Sequence, residues 1–288
     1  VRSSAASDVY KRQAVDLLAR AGVEAKVMAG GQSLMPLMNM RLVRAPVVVD
    51  INRVEASYVK PWDGGVACGA TARQRSLEWD NLVADKLPVL KTAARHIGHT
   101  QIRSRGTICG SIAHADPAAE LPALALALDA EMELLSTRGK RTVAAADFYL
   151  DYLTTILEPD EILVETRFRA APPAMAWAFL EVSRRHGDFA MVGVVAGLAV
   201  DAGSKAIADA RLTYFGVGGT PVRCREVEAA LRGQPPGAAA FAFAAAAIQP
   251  LLDPLDDVHA TAAYRRAVAG VLTQRALTQA WQQVRRDS

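Results

Sequence analysis

Two short loops carry the clearest chemical signal. The first, Ala29-Gly30-Gly31-Gln32-Ser33, follows the apolar run Lys26-Val27-Met28 and leads into residues 34–41, which can start a helical turn. Successive glycines let the backbone turn sharply and present its N–H groups with no side chain in the way. N–H donors grouped at a strand-to-helix turn form a concave nest that suits phosphate oxygens. Taken alone, a Gly-Gly pair describes an ordinary turn equally well. The second loop, Gly106-Thr107-Ile108-Cys109-Gly110-Ser111, again combines small residues with hydroxyls. It runs on through His114-Ala115-Asp116-Pro117-Ala118-Ala119-Glu120. Two such loops from separate segments can hold one diphosphate from both sides.

With Ile97-Gly98-His99 and the run Ile102-Arg103-Ser104-Arg105-Gly106-Thr107, the loops resemble the FAD-binding medium subunit of molybdenum hydroxylases. This is the xanthine dehydrogenase and aerobic carbon monoxide dehydrogenase family, and the resemblance runs from about Ala14 to the C-terminus. It implies a noncovalent FAD whose diphosphate lies between Ala29, Gly30, Gly31, Gln32, Ser33 and Leu34 on one side and Thr107, Cys109, Gly110 and Ser111 on the other. Ile97 and Gly98 join this cofactor set. Cys109 stands where the family usually has glycine, a departure tolerable if its backbone keeps negative φ. Glu120 matches the family's acidic position after the second loop, where a carboxylate holds a ribose or ribityl hydroxyl. Its competing reading is a helix N-terminal charge favoured by the dipole. Ile162 and Leu163 match positions lining the adenine and flavin; without the resemblance they read as core. Phe189, within Arg184-Arg185-His186-Gly187-Asp188-Phe189-Ala190, matches an aromatic cover over the flavin ring, against an ordinary strand phenylalanine. Asp116 reads as the cap of the helix that follows it. No residue is expected to be catalytic toward an organic substrate, and His96, His99 and His114 have no spacing suited to a metal.

The elements that must position these residues follow from pattern. The resemblance implies an α+β fold: a PCMH-type FAD-binding domain of two α/β lobes, plus a C-terminal domain of a three-stranded antiparallel sheet and helices. The boundaries expected are 1–170 for the FAD-binding domain, with lobes of about 14–55 and 56–170. The C-terminal domain, of the carbon monoxide dehydrogenase flavoprotein type, is expected over 174–288. Helical spacing begins at Ala14 and stops at Gly22. Residues 1–13 show no clear period, and the family's opening aromatic- and proline-containing strand is missing. A foreign leader and a divergent native start are both open readings. The run Pro46-Val47-Val48-Val49-Asp50-Ile51 reads as a strand buried on both faces. Strands are expected at residues 66–70, 132–135 and 161–168, and helices over 76–84, 87–96 and from Asp116 through Leu128. Prolines 172 and 173 mark the domain boundary. Beyond them come strands at 176–184, 189–200 and 208–215, then helices at 226–231, 238–251 and from about 260 to 285. Phe215-Gly216-Val217-Gly218-Gly219-Thr220-Pro221 reads as a turn.

Bulk properties narrow the function class. At 288 residues and a net charge of +3, nothing calls for nucleic acid. No apolar run approaches the roughly 20 residues of a membrane span. The three scattered cysteines form no disulfide framework, which points to the cytoplasm. Nor can they supply the four thiolates of an iron–sulfur cluster. By resemblance, molybdopterin and iron–sulfur clusters lie only on partner subunits, and the chain passes electrons from those clusters through FAD to an external acceptor. The expected assembly contains an iron–sulfur small subunit and a molybdopterin large subunit, as a dimer of heterotrimers. Two other readings stay open: a stand-alone flavin-dependent oxidase or reductase, and a structural subunit that has lost FAD.

Overall fold

A computed structural model describes residues 4–170, 172 and 174–287. The chain opens on helix α1 (Ser4–Ala21), which ends at Gly22. The helix therefore starts well before Ala14: the Ser-Ala-rich, charged segment lacks an apolar stripe, yet its alanines and long polar residues are good helix formers. Strands β1 (Ala25–Met28) and β2 (Val47–Asp50) pair in parallel, with Ala25 opposite Val47 and Met28 opposite Asp50. Between them in sequence lies the short helix α2 (Leu34–Asn39). β2 is not buried on both faces. Val49 is buried but Val48 is 37% exposed, because a two-stranded sheet covered by α1 has only one protected face.

The second lobe is built on an antiparallel sheet of order β3-β4-β9-β5-β6. It uses β3 (Val59–Trp62), β4 (Gly65–Gly69), β5 (Glu131–Ser136), β6 (Gly139–Ala144) and, after an intervening hairpin, β9 (Ile162–Phe168). Both edge strands escaped the sequence pattern. β3 carries Lys60 and Pro61, and β6 carries Lys140 and Arg141, the residues that blunt exposed sheet edges. Between β4 and β5 come α3 (Ser76–Trp79), α4 (Asn81–Lys86), α5 (Pro88–Ala94), α6 (Thr100–Arg105), α7 (Ile108–His114) and α8 (Glu120–Ala127). The single helix expected over 76–84 is split at Asp80, whose carboxylate accepts the N–H groups of Leu82 and Val83 and restarts the helix. Asp116 does not cap α8. Its side chain closes a turn onto the Ala118 N–H, and the helix begins later, after Ala119. After β6 the chain forms α9 (Ala145–Phe148) and the hairpin β7 (Tyr149–Asp151) and β8 (Thr154–Thr155).

The C-terminal part is an antiparallel sheet of three long strands, β10 (Ala176–Val182), β11 (Val192–Val200) and β12 (Ile207–Phe215), with the two-residue β13 (Val222–Arg223) at its edge. Helices α10 (Arg225–Leu231), α11 (Ala238–Ala247) and α12 (Ala262–Asp287) cover one face. The other face presents Trp177, Phe179, Val195 and Phe215 to the core around α5 and α8. β11 is therefore buried on both sides, which accounts for its unbroken apolar run. Phe189 falls outside that strand: β11 starts at Val192, and Phe189 sits in the hairpin tip that joins it to β10. The segment after β12 is a turn, as its glycines suggested.

A buried ion network fastens α10 to this sheet. The Arg223 side chain, 6% exposed, donates to Glu228, 2% exposed, at 2.9 Å, and to Asp129 at 2.7 Å. Glu228 Oε1 also accepts the Leu212 N–H at 2.8 Å, and Asp129 pairs with Arg211. Removing one partner leaves the other charge buried and unpaired. Arg223→Ala is expected to cost about 3 kcal/mol in urea denaturation. A loss under about 1 kcal/mol would show that Glu228 finds another partner or takes up a proton.

Candidate functional site

A cleft of about 780 Å³ opens where the first lobe, the second lobe and the β10–β11 hairpin tip meet. All sixteen residues expected at a cofactor line it, from Ala29 to Phe189. One wall is the β1–α2 turn. Gly31 adopts φ +73°, a left-handed conformation that a side chain would strain, and its carbonyl accepts the Met35 N–H at 3.1 Å to start α2. Gly30 is glycine for a different reason. A Cβ there would collide with the Arg105 carbonyl oxygen and lie 2.7 Å from the Gly106 Cα. The two loops thus approach each other backbone to backbone.

A clamp absent from the sequence reading holds that approach. Arg73 donates from Nη1 to the Arg105 carbonyl at 2.6 Å and from Nη2 to Asn52 Oδ1 at 2.8 Å. Asn52 in turn donates from Nδ2 to the Ala29 carbonyl at 2.6 Å. Gln74 adds a backbone N–H bond to Gly106 at 2.9 Å. No local pattern marks Arg73 or Asn52, since each serves loops distant in sequence.

The opposite wall is the start of α7. Thr107 caps it, accepting the Gly110 N–H on Oγ1 at 3.1 Å. Cys109 lies inside this helix with negative φ, as the departure from glycine required. Its thiol is turned into the core, 3.5 Å from the Cys68 carbonyl and 3.3 Å from Thr166 Oγ1. Burial pushes that thiol up to about 12, which disfavours the reactive thiolate.

Glu120 begins α8 with 5% of its surface exposed and lines the cleft. Burial pushes its carboxyl up to about 8; its own backbone N–H opposes this, and the charges of Glu181 and Asp116 add to it. Near neutral pH the group is largely protonated, so it can both donate to and accept from a sugar hydroxyl. It both starts a helix and faces the cleft. His114 also lines the cleft, and burial lowers its pKa. Ile162 and Leu163, on β9, are buried yet reach the cleft wall. Phe189 is 65% exposed at the mouth and lies outside β11, so it is not an ordinary strand phenylalanine. Among the described residues no group of three His, Cys, Asp or Glu could hold a metal ion. No described helix is long and apolar enough to cross a membrane.

Comparison with known proteins decides what the cleft belongs to. Residues 7–168 match the FAD binding domain in molybdopterin dehydrogenase, and residues 177–280 match the CO dehydrogenase flavoprotein C-terminal domain. The chain belongs to the FAD-binding medium-subunit family of the molybdenum hydroxylases. It is 40% identical over 273 residues to the 6-hydroxypseudooxynicotine dehydrogenase complex subunit alpha of Paenarthrobacter nicotinovorans, covering 94% of this chain and 92% of that one. The carbon monoxide dehydrogenase medium chain of Hydrogenophaga pseudoflava is 34% identical, with 93% of each chain covered. Among solved structures, carbon monoxide dehydrogenase from Hydrogenophaga pseudoflava superposes with a TM-score of 0.90 at 36% identity, over 94% of both chains. Quinoline 2-oxidoreductase from Pseudomonas putida 86 superposes equally well, TM-score 0.90, at 33% identity over 95% and 94%. Such relatives are medium subunits of multi-subunit complexes.

The cleft fits the family's cofactor. It offers two glycine-bearing turns held backbone to backbone, a nearly buried acid with no opposing cation beside it, and apolar walls. Gly30→Ala is expected to force the two loops apart and cut the FAD retained per purified chain by more than half, read from the ratio of visible to ultraviolet absorbance. Full flavin content in that variant would move the site elsewhere. Glu120 gives a pH signature in flavin-free protein. Its folded carboxyl keeps a proton up to about 8, whereas the unfolded one ionises near 4.5. The folded state therefore loses stability as pH rises through that window. Glu120→Gln should flatten this slope, so that the variant melts above wild type at pH 9 but not at pH 4. Parallel melting curves for the two proteins would refute it.

Proposed function

We propose that this chain holds one noncovalent FAD in the three-sided cleft and relays electrons from iron–sulfur clusters on a partner subunit to an external acceptor. The observation that carries this reading is the convergence of the two glycine loops, Glu120 and Phe189 on one cleft. When bound, FAD supplies a carrier that accepts and releases electrons singly or in pairs.

The chain's own residues bind, orient and shield. Backbone N–H groups of the β1–α2 turn and the start of α7 face the diphosphate, with the hydroxyls of Ser33, Thr107 and Ser111 beside them. Glu120 holds a hydroxyl of the ribose or ribityl chain. Ile162 and Leu163 give the aromatic rings an apolar wall, and Phe189 covers the ring at the mouth and limits access of water. Neither loop supplies an acid–base pair aimed at an organic substrate, so substrate oxidation belongs to another subunit.

The domain assignment behind this reading is a FAD-binding unit to residue 170 and a C-terminal unit from 174. The partners are an iron–sulfur small subunit and a molybdopterin large subunit, assembled as a dimer of heterotrimers in the cytoplasm. Support for the first partner comes from the cysteines: Cys68, Cys109 and Cys224 are dispersed and buried, and cannot assemble four thiolates.

Purified alone, the chain should carry FAD that acid releases into solution and should oxidise no organic substrate. Co-expression with the genes beside its own should yield a larger species containing iron and molybdenum, with substrate-dependent dye reduction. Flavin that stays with acid-precipitated protein would overturn the noncovalent site. Vigorous substrate oxidation by the isolated chain would overturn the electron-relay role.

A further inference from the structure

At Cys109 the core and the cofactor face of the chain meet on a single residue. Its surface is 2% exposed, yet it lines the cleft. The neighbouring N–H groups of that turn are already spent. Ile108 donates to the Ala72 carbonyl at 3.0 Å, Gly110 to Thr107 Oγ1 at 3.1 Å, and Ser111 to the Thr107 carbonyl at 3.1 Å. Cys109 is too near the start of α7 for its N–H to have an intrahelical partner. Among the described residues, no carbonyl or hydroxyl takes it up.

The thiol of the same residue is held from behind. Sγ donates to the Cys68 carbonyl at 3.5 Å. With its one hydrogen so placed, it accepts from the Thr166 hydroxyl, 3.3 Å away. These two partners form a matched pair, since Cys68 on β4 lies directly opposite Thr166 on β9. The thiol therefore sits on the seam between two neighbouring interior strands of the five-stranded sheet. Thr166 is fully buried, and its hydroxyl bonds this sulfur and no other described group.

A helix of seven residues has little hold of its own, so packing decides where α7 lies. Apolar contact is non-directional and leaves sliding soft. Two bonds to opposed points on adjacent strands fix both the height and the sideways place of the first turn. Each sulfur bond is weak, but both lie where an unmade bond strands a buried polar group. Small movements of this turn are felt across the cleft. A Cβ at Gly110 would lie 4.0 Å from the Ala29 Cβ on the first loop, so a shift of α7 changes the gap between the two walls.

Resting on the assignment of FAD to this cleft, we infer that the Cys109 thiol is a positioning residue for the cofactor. By anchoring the first turn of α7 to the β4–β9 seam, it holds its own unspent N–H, and the wall around it, where the diphosphate binds. The role needs no thiolate and no covalent step, in keeping with a thiol buried this deeply.

The test strips the full chain of flavin and titrates FAD back, following flavin fluorescence. Cys109→Ala should weaken FAD binding roughly tenfold and, by stranding the Thr166 hydroxyl, lower the melting temperature. Adding Thr166→Val removes the stranded group and should restore much of the melting temperature while FAD binding stays weak. Cys109→Ser can make the same two bonds and should lose no more than about threefold in affinity. Cys224→Ala is the control. It removes a similarly buried thiol from the C-terminal core and should lower the melting temperature with FAD binding unchanged. In flavin-free protein, amide exchange over residues 108–114 should quicken roughly tenfold in Cys109→Ala and stay near wild type in Cys224→Ala. Wild-type affinity in Cys109→Ala would overturn the inference. So would recovery of FAD binding together with stability in the double variant, since the thiol would then act on folding alone. A wild-type chain that takes up no FAD would overturn the cofactor assignment instead, and the exchange rates would still decide the anchor.

Discussion

The cleft depends on two loops touching through their backbones. Gly30 lies against Arg105 and Gly106 so closely that a single methyl group would separate them. Carbonyl groups of both loops are satisfied by a short chain: Arg73 donates to the Arg105 carbonyl at 2.6 Å, Asn52 donates to the Ala29 carbonyl at 2.6 Å, and Arg73 donates to Asn52 Oδ1 at 2.8 Å. Because Arg73 is planar and multiply donating, it bonds the second loop directly and reaches the first through Asn52. Burial lowers its pKa only from a very high value, so it stays charged in this role.

The third side of the cleft is set by a different force. The β10–β12 sheet buries Trp177, Phe179 and Phe215 against α5 and α8, and its opposite face under α10–α12. A sheet covered on both sides cannot slide without exposing large apolar area. Its hairpin tip is therefore held over the cleft, with His96 and Glu181 pinning it at close range. Arg265 adds a bond to the Gly216 carbonyl at 3.1 Å and another to Met191, bracing the base of that hairpin. The tip itself packs its Gly187 backbone against His99 and leaves Phe189 exposed at the cleft mouth.

Electrostatics divides the cleft into two zones. Toward α8, burial keeps Glu120 protonated well above the usual carboxylate range, a neutral hydrogen-bonding environment suited to hydroxyls. Toward the mouth, the lining includes the exposed Asp188 beside Phe189. This polarity follows from which residues the fold buries, since the same chain has a net charge of only +3.

Several features were legible in the residues themselves. Glycine pairs, hydroxyls and the acid at Glu120 are rare enough together to mark both loops and, through family resemblance, the cofactor. The long apolar run of β11 declared its strand, because burial demands apolar side chains wherever it occurs. Edge strands β3 and β6 were silent, since solvent tolerates Lys60, Pro61 and Arg141 there. The split at Asp80 was hidden because one capping carboxylate can restart a helix inside an apparently continuous pattern. Only the tertiary structure could decide the partners of Arg73, the inward turn of the Cys109 thiol and the protonated state of Glu120. Each depends on groups far apart in the chain: Arg73 meets Arg105, Cys109 meets Thr166, and Glu120 feels Glu181. Sequence records what a residue can do, whereas hydrogen bonding and desolvation depend on what folding places beside it.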